Sequence, residues 1–161
     1  LTTIAGWQYH RRMDTNWLSP REMEAWRTYI ETYGDLINAL ERDLVEHGMT
    51  LGDYQVLVYL SEADGHAMRM CDLADMLQLS PSGLTRRLDG LVKAGMVVRE
   101  GSTEDRRVMM AKLTDDGRGA LERTAPHHVA SVRLHIFDHL DDVQVDALAS
   151  IFRSIGKGLA A

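Results

Sequence analysis

Cysteine is nearly absent from this sequence, which contains only Cys71 in 161 residues. A single thiol cannot close a disulfide within the chain, and it is compatible with a reducing compartment. No run approaches the roughly 18 apolar residues of a membrane span, and the N-terminus lacks the charged-then-apolar order of a signal peptide. The sequence therefore predicts a cytoplasmic protein with no membrane partner.

The motifs of common enzyme classes are also missing. The sequence has no serine nucleophile elbow, no glycine-rich phosphate loop and no paired-carboxylate motif, and its histidines have no identifiable nucleophile beside them. We therefore predict that the protein is not an enzyme and that it needs no cofactor.

Charge is unevenly distributed along the chain. The formal net charge is −6, yet the stretch from Arg69 to Lys112 holds eight Lys or Arg and six Asp or Glu, a local charge of +2. Binding to phosphate depends on a local cationic surface more than on net charge. The charge distribution is therefore compatible with nucleic-acid binding. Separately, the hydrophobic content of 45% is enough to form a buried core.

The segment from Leu79 to Leu91 predicts a short amphipathic helix. Ser80 suits the N-cap and Pro81 the first helical position, while Gly95 suits the residue that ends a helix. Taken alone, this pattern fits an ordinary surface helix equally well. At about 100° per residue, Leu84, Leu88 and Leu91 fall on one face, and Ser82, Arg86, Asp89 and Lys93 fall nearly opposite.

A second short helix is predicted just before it. Cys71 or Asp72 would cap this helix, with Leu73, Ala74, Met76 and Leu77 facing inward. Only residues 78–80 separate the two helices. Two short helices joined by so tight a turn form a helix-turn-helix, in which the second helix enters a groove of DNA.

After Gly95 the pattern changes to that of β-strands. Residues 96–100 and 107–113 are apolar or β-branched runs, separated by the polar turn-forming segment 101–106. This predicts a hairpin with a charged tip that must pack on the helices. Residues 68–70 are expected to be extended as well.

Long helices are predicted at both ends of the chain. Ser19 and Glu22 have the spacing of a capping box, and an apolar stripe then runs from Trp26 to Leu44. A helix after Thr114 should be kinked or divided by Pro126, and the last helix should begin near residue 141. These apolar stripes are longer than a small domain can cover, so a second copy of the chain is expected to bury them.

Residues 1–16 show no clear period and are predicted to be an N-terminal extension. Because the sequence does not begin with methionine and Met13 could be a natural start, we expect Leu1 to Arg12 to come from an expression vector or an upstream reading frame.

The order of elements and several short segments resemble the MarR family of winged helix-turn-helix regulators. The matching segments are residues 72–77, 82–86, 95–97 and 105–107, followed by Leu113, Thr114 and Gly117. The resemblance runs from about Trp17 to Leu159. It implies a mainly α fold with a small β-hairpin wing, in which residues 49–114 bind DNA and residues 17–48 and 115–161 form a helical dimerisation region.

By this resemblance the protein is a transcriptional regulator, expected to be a repressor that binds a pseudo-palindromic operator as a homodimer. Arg87 lies nearer the packed side of its helix, so it is assigned either a phosphate contact or an internal ion pair. Asp105 is expected to orient an arginine of the wing. The predicted DNA-binding residues are Ser80, Ser82, Gly83, Thr85, Arg86, Arg87, Lys93, Arg106 and Arg107.

Members of this family commonly bind a small aromatic or anionic effector between the winged domain and the dimerisation helices. Aromatic residues at helical spacing are more often part of a core than of a ligand site. The residues predicted to line such a pocket are Trp17, Trp26, Tyr29, Tyr33 and Tyr54.

Two other functions fit the same sequence. His128, His135 and His139 would share one helical strip, and the last two have the i, i+4 spacing of a metal site, which would suit a zinc-responsive regulator. Histidines bordering an apolar face are the simpler interpretation of this strip. A winged domain used only for protein contacts is the other alternative, but it would have no need of a basic surface.

Overall fold

The computed structural model describes residues 16–102, 105 and 107–159. The chain divides into two units, residues 1–35 and residues 36–161, and the long first helix belongs to both. The described α-helices are α1 (Pro20–Glu46), α2 (Leu51–Glu62), α3 (Met70–Met76), α4 (Pro81–Lys93), α5 (Asp115–His135) and α6 (Asp142–Leu159), and the described strands are β1 (Ala67–Arg69), β2 (Val97–Gly101) and β3 (Met109–Leu113). Short 3₁₀ helices, Asp64–His66 and Phe137–His139, precede β1 and α6.

The predicted capping residues begin the long helices. At α1 the Ser19 N–H donates to Glu22 Oε2 at 2.7 Å and the Glu22 N–H donates to Ser19 Oγ at 3.3 Å, which confirms the capping box. The hydrogen bonds from Ser19 lower the pKa of Glu22. Asp141 and Gln144 make the same reciprocal pair before α6, at 3.0 and 2.8 Å.

The strands form an antiparallel sheet in the order β1-β3-β2. The predicted hairpin is the pair β2 and β3, in which Val97 lies opposite Leu113 and Gly101 opposite Met109. The segment expected to be extended is β1, which pairs with the other edge of β3. The hairpin is therefore not isolated, because its second strand is the centre of a three-stranded sheet.

The core of the second unit lies where α2, α3, α4, α5 and the sheet meet. At one contact between them, a Cβ on Gly117 would collide with the Met96 carbonyl, so only glycine allows α5 to approach so closely. Thr114 reinforces this contact, because its hydroxyl donates to the Gly95 carbonyl at 2.7 Å and accepts the Gly117 N–H at 3.0 Å. The largest fully buried side chains are Leu44, Leu57, Leu60, Leu73, Leu84, Leu88, Val56 and Val97.

Two predictions about α3 are wrong. The helix begins at Met70, after Arg69 and without a side-chain cap, so neither Cys71 nor Asp72 caps it. Met76, predicted to face inward, is 48% exposed. A helix of seven residues buries one narrow strip, and Leu73 and Ala74 already occupy it.

Of the two outcomes predicted at Pro126, a kink or a division, the division is wrong, because α5 continues from Asp115 to His135, and the kink stays a prediction. A proline within a helix leaves the carbonyl four residues earlier without its usual donor. Here that carbonyl belongs to Glu122, and both Glu122 and Pro126 are exposed, so water can bind it.

None of the helices in the described ranges is long and apolar enough to cross a membrane. The boundary between the two units, after Asp35, differs from the predicted functional boundary after residue 48. The predicted boundary separates a dimerisation region from a DNA-binding region, whereas the observed boundary separates two compact units. The predicted boundary therefore stays a prediction.

Candidate nucleic-acid interface

The first turn of α4 is fixed by short polar contacts. Ser80 Oγ accepts the Gly83 N–H at 3.1 Å and lies 3.2 Å from Ser82 Oγ. The Thr85 hydroxyl donates to the Pro81 carbonyl at 2.9 Å. The predicted cap is confirmed, and it leaves small polar side chains at the start of a rigid helix.

The two faces of α4 differ as predicted. Leu84, Leu88 and Leu91 are 1%, 0% and 4% exposed. Ser82, Thr85, Arg86, Asp89 and Lys93 are exposed, while Gly83 is half-buried. The leucines hold the helix against the core, so its polar face is presented by a firmly packed element.

Arg87 points away from this polar face and toward the start of α2. Its Nη1 donates to Thr50 Oγ1 at 3.2 Å and lies 3.7 Å from Asp53 Oδ1. A Cβ on Gly52 would collide with the same guanidinium. Of the two roles considered for Arg87, the internal ion pair is present, and its phosphate contact stays a prediction.

The wing turn is shaped by Asp105. Its Oδ1 accepts the Arg107 N–H at 2.9 Å, and its carbonyl accepts the Val108 N–H at 2.9 Å. Asp105 thus orients the main chain at Arg107, whose side chain is exposed. Arg106, the other predicted wing arginine, lies outside the described residues.

Arg99 on β2 was not among the predicted site residues. Its Nη2 donates to the Thr85 carbonyl at 2.7 Å and to Asp89 Oδ1 at 2.8 Å. The signal that could have found it is strand alternation, because Arg99 lies two residues after the buried Val97 and so shares the face of β2 that is turned to the helices.

Chemically, the exposed face of α4 and the wing combine hydroxyls with cations. An arginine such as Arg86 can bond guanine O6 and N7 through two donors. Lys93 and Arg107 offer cations at the end of the helix and at the wing. Such a set of side chains suits base edges in a groove flanked by phosphates.

The proposed histidine strip does not form. The His128 ring packs against Tyr54 at 4.4 Å between centroids, and burial lowers the pKa of His128. His135 Nε2 lies 2.9 Å from Asp43 Oδ2, and α5 ends there, so His139 falls outside the helix. In the part of the chain that the structure describes, no three His, Cys, Asp or Glu residues are grouped to hold a metal.

The predicted effector residues fall into two environments. Trp17, Trp26, Tyr29 and Tyr33 belong to the first unit and are 43–78% exposed, with ring centroids 6.0 Å apart for Trp26 and Tyr29. Tyr54 belongs to the second unit, where it is 8% exposed and burial raises its pKa. Their role in binding an effector stays a prediction.

Comparison with known proteins identifies close relatives. A protein-family profile described as the MarR family matches residues 47–108. AbsC, a MarR family transcriptional regulator from Streptomyces coelicolor, is 40% identical in sequence to this chain. Its crystal structure superposes on this structure with a TM-score of 0.85, and the match covers 91% of this chain and 99% of AbsC.

Two further relatives carry information on activity. Sco3205, a MarR family transcriptional regulator from Streptomyces coelicolor solved in complex with DNA, is 37% identical, with a TM-score of 0.86 over 93% of this chain and 94% of its own. The transcriptional repressor YetL of Bacillus subtilis is 28% identical over 121 residues, which are 73% of this chain and 72% of YetL.

Proposed function

The chain belongs to the MarR family of DNA-binding transcriptional regulators, and on that premise we propose that it is a homodimeric repressor released from its operator by a small molecule. The observation that carries the proposal is the exposed polar face of α4, held from behind by three buried leucines. The DNA in the Sco3205 structure and the description of YetL as a repressor support it. Because its target is DNA, we place its action in the cytoplasm.

In the proposed complex, α4 lies in the major groove of DNA. Ser82, Thr85 and Arg86 contact base edges there, and Gly83 allows close approach. Ser80 and the free amides of the first turn bind a phosphate, as does Lys93. Arg106 and Arg107 of the wing enter the minor groove, whose narrow A·T segments attract arginine.

The proposed homodimer follows from apolar side chains that one chain leaves in solvent. On α6, Ile151, Ile155 and Leu159 are 54%, 52% and 84% exposed. On the first part of α1, Trp26 and Ile30 are 53% and 46% exposed. A second copy related by a two-fold axis would cover such faces. The resulting dimer would present two α4 helices, one from each chain, to half-sites about 10 base pairs apart.

The effector is proposed to be a small aromatic or anionic molecule. The exposed aromatic rings of Trp26, Tyr29 and Tyr33 support aromatic recognition, because flat rings offer large contact areas. Tyr54 is only 8% exposed, so it would need a local rearrangement to contact a ligand.

Selection of bound sequences from a random pool of DNA duplexes tests the function. The wild-type protein should recover a pseudo-palindrome, and its affinity should fall steeply as salt rises. Replacing Arg86→Ala together with Arg107→Ala should weaken binding to the recovered duplex by about tenfold or more.

Arg118→Ala is the matched control. Its guanidinium lies 3.5 Å from Asp115 within α5, and the groove that Arg118 lines includes no residue of α4, so this variant should bind DNA like wild type. Unchanged binding by the double variant would contradict the site, and recovery of no duplex by wild type would contradict the function.

A further inference from the structure

We propose that Arg99 is a positioning residue that holds the recognition helix α4 and the wing together as one DNA-reading unit. The inference rests on the proposed function, because it concerns how the same DNA surface is aligned. Arg99 itself lies behind that surface, on β2, and its side chain is 24% exposed.

The contact has an unusual geometry for a surface ion pair. One nitrogen, Nη2, donates both to the Thr85 carbonyl at 2.7 Å and to Asp89 Oδ1 at 2.8 Å. Thr85 and Asp89 are one helical turn apart on α4. The guanidinium is bonded to α4 at two acceptors. It therefore restrains both the rotation of α4 and the distance between α4 and the sheet.

The first of these points lies at a residue proposed to read bases. Arg99 bonds the main chain of Thr85, and Arg86 follows directly along the helix. A shift of α4 relative to β2 therefore moves Thr85 and Arg86 together. Misplacement of such side chains by about 1 Å is enough to spoil two-donor contacts to a base.

The other end of the contact is tied to the wing. Arg99 lies opposite Ala111 of β3, and β2 ends two residues later at Gly101. The Ser102 N–H then donates to the Val108 carbonyl at 2.8 Å, which closes the base of the wing turn. Arg99 thus joins the strand that carries the wing to the helix that reads the groove.

Arg99 is not an obvious choice for stability alone. Among the described residues its Nε is buried and has no hydrogen-bond partner, and an unpaired buried donor costs free energy. An apolar residue at this position would avoid that cost but could not bond α4. The cation at this position instead bonds two acceptors of α4, and orientation of that helix is the role that we assign to it.

The experiment compares Arg99→Met, Arg99→Lys and Asp89→Leu with wild type. For each protein, affinity is measured for the duplex that wild type selects from a random pool and for a scrambled duplex of equal length. Circular dichroism checks that each variant folds. The matched control is Lys112→Met. It removes an ion pair that lies within the sheet, between Lys112 and Glu100 at 3.5 Å, instead of one that joins the sheet to α4.

We expect Arg99→Met to lose about tenfold in affinity for the selected duplex and much less for the scrambled one. Arg99→Lys should recover part of the loss, because its ammonium has donors for the same two acceptors but its side chain is shorter than that of arginine. Adding Asp89→Leu to Arg99→Met should cost little more, since the two residues act through one contact. Lys112→Met should keep the wild-type ratio between the two duplexes.

Asp89→Leu distinguishes positioning from direct phosphate contact by the ratio of the two affinities. Removal of this exposed carboxylate strengthens binding to both duplexes by reducing charge repulsion, but loss of a positioning contact lowers the affinity for the selected duplex relative to the scrambled one. If Arg99 instead contacts a phosphate, Asp89→Leu strengthens binding to both duplexes and leaves their ratio unchanged, and this outcome overturns the proposal. An unchanged ratio between the two duplexes for Arg99→Met overturns it as well.

A measurement without DNA separates this inference from the proposed function. Amide hydrogen exchange in free Arg99→Met should speed up in α4 and β2 but not in α2, and unchanged exchange in α4 overturns the positioning role. Failure of the wild type to select any duplex overturns the proposed function and leaves the exchange result to decide the role of Arg99.

Discussion

The helices α4 and α6 have the same amphipathic pattern but different surroundings. In α4 the apolar residues Leu84 and Leu88 are 1% and 0% exposed, because the core of the same unit covers them. In α6 the equivalent residues Ile151 and Ile155 are 54% and 52% exposed. An apolar stripe thus identifies the face that avoids water, but it does not say whether the same chain or another copy covers it.

The largest effect is expected from a charge on the exposed face of α6. Ile155→Asp would place an uncompensated carboxylate in the proposed dimer interface twice, once for each copy, and it should convert the dimer to monomer. Sedimentation velocity measures the change. Ser150→Asp introduces the same charge about 140° around the helix and should leave the dimer intact.

If Ile155→Asp sediments like wild type, α6 is not part of the interface. In that case the comparison between the two helices would need another explanation for the exposed isoleucines.

A smaller effect is expected from a cavity beneath α4. Leu88→Ala should lower the free energy of unfolding by about 2–5 kcal/mol, because the side chain is fully buried among core residues. Urea unfolding measures it. Arg86→Ala, two residues away on the exposed face, should leave stability within about 0.5 kcal/mol of wild type.

A loss for Leu88→Ala no larger than that for Arg86→Ala would mean that the core does not hold α4 as described. The pair therefore separates the packing of this helix from its binding of DNA.

The smallest effect concerns a polar contact between α1 and α5. Hydrogen bonds from Ser131, at 2.6 Å, and from His135 lower the pKa of Asp43. A lowered pKa means that this contact stabilises the native state above the unfolded-state pKa of about 3.9, and that the stabilisation is lost as pH falls through the native pKa. Acid should therefore weaken this contact while leaving the leucine packing of α4 unaffected.

Wild type should exceed Asp43→Asn in stability at neutral pH, and the two curves should converge as the pH falls below 4. Ser131→Ala should remove much of the difference, because it deletes the hydrogen bond that lowers the pKa most. A difference that is independent of pH would exclude Asp43 as the titrating group.

Local features were predictable because their partners are close in sequence. Ser80 caps α4 through the N–H of Gly83, and Ser19 and Glu22 bond each other across three residues. The alternation in β2 and β3 likewise follows from the period of a strand. Pro126 does not divide α5, because Pro126 and Glu122, whose carbonyl lacks its usual donor, are both exposed to water.

The sequence by itself determined where α1, α4, α5 and α6 begin, which face of α4 is apolar, and that a cationic helix-turn-helix and wing are present. Only the tertiary structure decided what distant side chains do: Arg87 bonds Thr50, 37 residues away, and Arg99 bonds Asp89 across the gap between strand and helix. The reason is physical, because helix periods and caps act within a few residues, whereas the direction of a long cation depends on which acceptors the folded chain brings to it.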